Sequence, residues 1–177
     1  MNKRPPEHRK SLYIVLISVH GLIRGHDLEL GCDADTGGQT KYVVELARAL
    51  GERADVARVV LLTRRVVDAQ VSPDYAEPFE ALSDKAAIVR IECGEQKYLR
   101  KEMLWDSLDS FADNTLAYLK NQPVIPDVLH SHYADAGYVG ARPRGTRGCR
   151  AGGAADAPHR RCPGQPGLRG AVRSAFG

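Results

Sequence analysis

Short apolar runs alternate along this chain with stretches in which apolar residues recur every three or four positions. Residues 12–18, LYIVLIS, are continuously apolar, the pattern of a parallel strand covered on both faces. From Gln39 to Leu50 the positions Val43, Leu46, Ala47 and Leu50 fall at i, i+3, i+4 and i+7, one stripe of a helix that Gly51 ends. ARVVLLT at 57–63 and AAIVRIE at 86–92 predict a second and a third strand. Helical spacing returns over 104–119, at Leu104, Leu108, Phe111, Ala112, Thr115, Leu116 and Leu119, after the charged turn YLRKE. PDVLHSH at 126–132 then predicts another strand, apolar at Val128 and Leu129 and polar only toward its carboxyl end. A further helix begins with ADAGYVGA. Strand and helix alternate throughout, which predicts an α/β fold, a doubly wound Rossmann-like parallel sheet.

The pattern stops at Ala141. From Arg142 to Gly177 the chain holds eight Arg, eight Gly, six Ala and four Pro, and no Lys, Ile, Glu, Asn, Tyr or Trp. Such a composition builds no core, and a tail without structure is expected there. The exchange of vocabulary falls in mid-helix, and all seven Lys precede residue 121, so the tail reads as a GC-rich gene translated in the wrong frame. The expected organisation is a flexible N-terminus at 1–10, a partial Rossmann-like domain at 11–141 and a low-complexity tail at 142–177. Charge divides at the same place. The whole chain carries +3, but with eight Arg and the single acid Asp156 the tail carries +7, leaving the body at −4.

That division changes the list of partners. The tail arginines have only Phe176 among them for base stacking, so nonspecific electrostatic contact is expected and specific nucleic-acid recognition is not. No apolar run approaches the roughly 20 residues that cross a bilayer, and a membrane partner is not expected. Cys32, Cys93, Cys149 and Cys162 are irregularly spaced without a CxxC pair, which argues against a disulfide framework or a zinc ribbon. A reducing cytoplasm is the compartment that fits.

Chemistry gathers in the loop at 19–38, far longer than the usual strand-to-helix link of about 2–6 residues. It ends in Asp35-Thr36-Gly37-Gly38-Gln39, where Thr36 and Gln39 have the spacing of a capping box. The glycine pair leaves helix N-terminal amides uncovered, a place for an anionic or hydroxyl-rich ligand; it equally permits a tight turn. His20-Gly21 follows the first strand with no third glycine, so a dinucleotide site is not supported. His130 and His132 alternate with Ser131, which points both rings to one face near the carboxyl end of a strand. No third ligand is spaced to join them, so they read as pocket-lining or hydrogen-bonded histidines, with Tyr133 next in line. Arg100 and Lys101 are adjacent cations that suit a phosphorylated substrate near the same sheet edge, or a solvated helix start.

Taken in order, LYIVLISVHGLIRGHDLELGCDADTGGQTKYVVELARAL, VVLLTRRV, KYLRKEMLW and VLHSHYADAGY resemble the sucrose-phosphate synthases over residues 11–140. Sucrose synthases share DTGGQ, but HGLIRG with HYADAGY is more similar to the enzymes that use a phosphorylated acceptor. The resemblance implies the N-terminal domain of a GT-B glycosyltransferase, transferring glucose from UDP-glucose to fructose 6-phosphate with retention and without a metal or other cofactor. It implies that Gly37, Gly38 and Gln39 contact the acceptor sugar and the donor phosphate region, and that Arg100 and Lys101 meet the acceptor. Tyr133 would line the same pocket, and His20 and Gly21 would lie under the donor diphosphate. The family continues past HYADAGY with a TGHS motif and a nucleotide-gripping domain that have no counterpart here, so this chain alone is expected to be inactive. The alternatives are a sucrose-synthase-like transferase or a noncatalytic module binding sugar phosphate or nucleic acid.

Overall fold

We describe the protein from a computed structural model that covers residues 11–29, 37–141 and 150–153. Six strands form one sheet: β1 (Leu12–Ile17), β2 (Val56–Arg64), β3 (Phe79–Ala81), β4 (Ala86–Ile91), β5 (Val128–Ser131) and β6 (Arg150–Gly153), in the order β3-β4-β2-β1-β5-β6. All neighbours are parallel except β3, which runs antiparallel along the outer edge of β4. Three helices cover the sheet: α1 (Gly38–Gly51), α2 (Leu108–Lys120) and α3 (Tyr133–Ala141).

The continuous apolar runs are explained by where the helices sit. In β1, Ile14 and Leu16 pack with Val43, Val44 and Ala47 of α1, while Val15 and Ile17 pack with Phe111 of α2 and Val139 of α3. β2 divides in the same way, with Val59 and Leu61 toward α1 and Val60 and Leu62 toward α2. Successive side chains of a strand point to opposite faces, so a sheet covered on both sides needs apolar residues at every position. Val59, Val60, Leu61 and Leu62 are all 0% exposed. Each such side chain contributes about 1.5–3 kcal/mol by leaving water.

Three expectations change. The strand predicted third is the fourth along the chain, because β3 precedes it; with only three residues and Phe79 and Ala81 exposed, β3 has no apolar signature. The helix predicted from Leu104 begins at Leu108, and the residues before it form two 3-10 turns, Lys101–Met103 and Trp105–Ser107. The tail, expected to lack structure, supplies β6 at Arg150–Gly153, paired in parallel with β5 from Val128↔Arg150 to Ser131↔Gly153. An uncovered strand edge offers main-chain donors and acceptors whatever the side chains, which is how a glycine-rich segment pairs there. The rest of 142–177 and residues 1–10 lie outside the described residues.

The loop leaving β1 is anchored. Leu22 packs with Val66 and Tyr75, and Ile23 is buried beneath α1. Buried Arg24 pairs with Asp74 at 2.9 Å and Glu29 at 3.1 Å and lies over the Tyr75 ring at 5.4 Å. Arg48 donates to the Gly25 carbonyl at 2.6 Å, and Arg90 donates to the Ile23 carbonyl at 3.0 Å. Glu80 accepts from the Gly25 amide and pairs with Arg90. α1, β4 and the segment between β2 and β4 therefore fix the described part of the loop.

Candidate functional site

β1 and β5 end level with each other. Leu16 registers with His130 and Ile17 with Ser131, and the His132 amide donates to the Ile17 carbonyl at 2.9 Å. From β1 the chain builds β2, β3 and β4 on one side of the sheet, then returns to β1's other side with β5. Sheets of this kind take ligands at the carboxyl ends of the strands, where the order reverses. A cleft of about 600 Å3 opens there, lined by Gly38, Gln39 and Tyr42 of α1, His130 and Ser131 of β5, and His132 and Tyr133 beyond it.

The helix end at this cleft is bare. Gly37 is the N-cap, in extended conformation and with no side-chain cap bond; the Thr40 amide and hydroxyl both donate to its carbonyl, at 3.1 and 2.8 Å. A Cβ built on Gly37 or Gly38 would meet nothing within 4 Å. Among the described residues no contact at the Cβ position therefore requires these glycines. What they leave is main chain open to the cleft at the positive end of a 14-residue helix.

The expected capping box does not form through Gln39. Thr36 lies outside the described residues, and the Gln39 side chain turns toward β1 instead of back along its own helix. Its Nε2 donates to Ser18 Oγ at 3.2 Å, and its Oε1 lies 2.7 Å from His20 Nε2. His20 is buried, and its Nδ1 lies 2.6 Å from Oδ2 of Asp135, a buried carboxylate in the first turn of α3. Asp135 Oδ1 accepts from the Ala136 amide at 2.8 Å. One chain of polar contacts thus joins the end of β1, the start of α1 and the start of α3. Both nitrogens of His20 are engaged by protein groups. Gly21 has φ +83, a left-handed backbone that favours glycine.

Tyr133 stands over His20 with ring centroids 5.1 Å apart in an edge arrangement, and it is 63% exposed. Its φ of +70 is left-handed, a conformation that costs a bulky L-residue about 1–2 kcal/mol. Such positions cluster where ligands bind. His130 and His132 do share a face, with centroids 4.6 Å apart, and Tyr42 meets His132 at 5.8 Å. Burial first, and the neighbouring His130 second, push the His132 pKa down to about 4. Among the described residues no group of three or more His, Cys, Asp or Glu is placed to hold a metal. Cys93 is buried, and that burial raises its thiol pKa against the opposing pull of Arg64.

Of the residues singled out by sequence, the cleft gathers Gly38, Gln39, His130, His132 and Tyr133, with Gly37 and His20 adjoining them. Arg100 and Lys101 stand apart from this lining, exposed at the start of the 3-10 turn Lys101–Met103; Leu99 before them packs into the core beside Val19. Tyr42, Ser131 and Asp135 were not singled out. Tyr42 could have been found from its place one turn beyond Gly38 on the wet face of α1, whereas the link from Asp135 to His20 spans 115 positions and leaves no spacing signal.

Sheet order and cleft together define a Rossmann-like α/β domain, and its likeness to a solved relative makes the fold that of a GT-B glycosyltransferase domain. No protein-family profile matches the chain. Among curated proteins, it is 50% identical over 157 residues to sucrose-phosphate synthase of Zea mays, a match covering 75% of this chain and 15% of that one. It is 47% identical over 153 residues to sucrose-phosphate synthase 4 of Arabidopsis thaliana, again over 75% of this chain and 15% of that one. A solved sucrose-phosphate synthase from Thermosynechococcus elongatus superposes with a TM-score of 0.64 at 26% identity, over 79% of this chain and 32% of that one. Over the matched residues the chain belongs to the sucrose-phosphate synthase family. It spans about 15% of the length of these curated relatives.

Proposed function

We propose that this chain forms the acceptor side of a retaining glucosyl transfer from UDP-glucose to fructose 6-phosphate, the reaction that makes sucrose 6-phosphate. The observation that carries the reading is the bare start of α1, where Gly37 and Gly38 leave helix amides open beside a cleft of about 600 Å3. Amides at a helix start favour an anion or a cluster of hydroxyls without needing a metal. In this reading Gly37, Gly38 and Gln39 hold the acceptor sugar and the near side of the donor phosphates, and Tyr133 lies along the sugar. Arg100 and Lys101 supply positive charge toward the acceptor phosphate, and the His20-Gly21 turn lies under the donor diphosphate. Transfer itself requires both substrates in near-attack geometry with the departing diphosphate stabilised, and the described residues supply one wall of such a site. The partners are small molecules in a cytoplasmic setting, with neither a specific nucleic acid nor a membrane. Among the described residues no helix is long and apolar enough to cross a membrane.

Isothermal titration of the full chain with fructose 6-phosphate, fructose and UDP-glucose tests the reading. Fructose 6-phosphate should bind at least tenfold more tightly than fructose, a phosphate contribution of about 1.4 kcal/mol or more, and Lys101→Ala should narrow that gap. Equal affinity for the two would point to a sucrose-synthase-like acceptor site, and no binding of either would remove the proposal.

A further inference from the structure

His132 lines the cleft, and the family reading gives it no task. It follows β5, its main chain is tied to Ile17, and its ring is set edge-on to both His130 and Tyr42. The residue is 8% exposed, it lines the cleft, and its Nε2 is a buried polar atom without a hydrogen-bond partner among the described residues. Buried polar atoms in folded proteins are almost always hydrogen-bonded, so one left over at the wall of a cleft points to a group that arrives from outside.

The chemistry of that group follows from the state of the ring. Burial and the adjacent His130 keep the imidazole neutral at physiological pH, so it offers no charge to attract a phosphate. A neutral imidazole nitrogen is a donor in one tautomer and an acceptor in the other. A hydroxyl is both, and it satisfies Nε2 in either tautomer, whereas an anion demands the donor form and an ammonium group the acceptor form. In the proposed reading the helix amides at Gly37 and Gly38 favour an anionic part of the ligand. Two kinds of contact in one cleft, an anion-favouring helix end and a neutral nitrogen, match a molecule that carries both a phosphate and free hydroxyls.

We infer that His132 is the hydroxyl-recognising residue of this cleft, its Nε2 forming a hydrogen bond with a hydroxyl of the sugar once the exposed Tyr42 ring turns aside. Tyr42 is 57% exposed, so little packing opposes that turn. The inference rests on the cleft being a sugar site and deepens that reading: discrimination between sugars is assigned to the neutral His132 and retention of the phosphate to the helix end and the cations.

Imidazole 15N resonances of the labelled full chain at pH 7.5 test this, titrated separately with fructose 6-phosphate, D-fructose and inorganic phosphate. The two sugars should move the His132 Nε2 resonance, and phosphate should move only the Gly37 and Gly38 amides. His132→Phe, which keeps a ring and removes the nitrogens, should weaken fructose 6-phosphate binding about tenfold, the scale of one hydrogen bond, and His132→Gln should recover part of it. If fructose 6-phosphate shifts the Gly38 amide while Nε2 stays still, the role of His132 falls and the sugar-phosphate site stands. If phosphate alone moves Nε2 as far as fructose does, the atom serves an anion and the inference is overturned. If no probe shifts any resonance of the cleft, both readings fall together. The wild-type titration decides without the variants, so a poorly folding Phe substitution does not rescue the idea.

Discussion

The backbone at Tyr133 offers a test whose outcome is a sign as well as a size. Its φ of +70 places an L-residue in the left-handed region, at about 1–2 kcal/mol of strain, while its side chain is 63% exposed and contributes mainly the edge contact with His20. Tyr133→Ala removes the ring and that contact, worth about 0.5–1.5 kcal/mol, but keeps the strain. Tyr133→Gly removes ring and strain together; against this stands the extra freedom that glycine loses on folding, about 0.5–1 kcal/mol. Subtracting, the Gly variant should be the more stable of the two by up to about 1.5 kcal/mol, whereas at an ordinary helical position Gly is the less stable by about 0.5–1 kcal/mol. Urea unfolding of the two variants, followed by far-ultraviolet circular dichroism and fitted with a common slope, measures the difference directly. An Ala variant equal to or more stable than the Gly variant would falsify the claim that the chain is strained as it enters α3. Both variants should also lose affinity for fructose 6-phosphate, because the ring that lies along the cleft is gone in each.

A Cβ at Gly38 meets no atom within 4 Å, so Gly38→Leu should leave the melting temperature unchanged or slightly raised while binding of fructose 6-phosphate is lost; a variant that binds normally would show that the bare helix start is not the site. Phe111→Ala empties a position that is 0% exposed between α2 and the sheet and should cost about 3–5 kcal/mol in urea unfolding. The lowered pKa of His132 makes stability depend on pH: the contribution is intact above pH 6.5, the ordinary value, and is lost progressively as pH falls toward about 4, since the unfolded chain binds the proton first. His132→Gln should flatten that part of the stability profile, and an unchanged profile would show that another group is responsible.

The elements legible in the sequence were those whose signal is local. The apolar runs of β1, β2 and β4 and the stripe of α1 reported burial on both faces of a sheet, and period two along β5 placed His130 and His132 on one side. What escaped was set by partners distant in the chain. Gln39 had the spacing to cap its own helix, yet Ser18 and His20 hold its side chain, and that competition is invisible from positions 36–39. Asp135 was visible as part of a family motif but not as the residue that holds His20. β3 was too short and too wet to register, and β6 forms through main-chain pairing that glycine and arginine neither advertise nor forbid.

The three guanidinium groups that grip the loop after β1 have a consequence for how such a cleft could diversify. Arg24, Arg48 and Arg90 bind carbonyls or carboxylates belonging to that loop and to the segment between β2 and β4, none of which lines the cleft. Changes in the length or charge of residues 65–85 would therefore shift the wall that carries His20 while every ligand-facing side chain kept its identity. Substrate preference could drift through a remote brace, and a graft of that one segment between relatives is the economical way to move it.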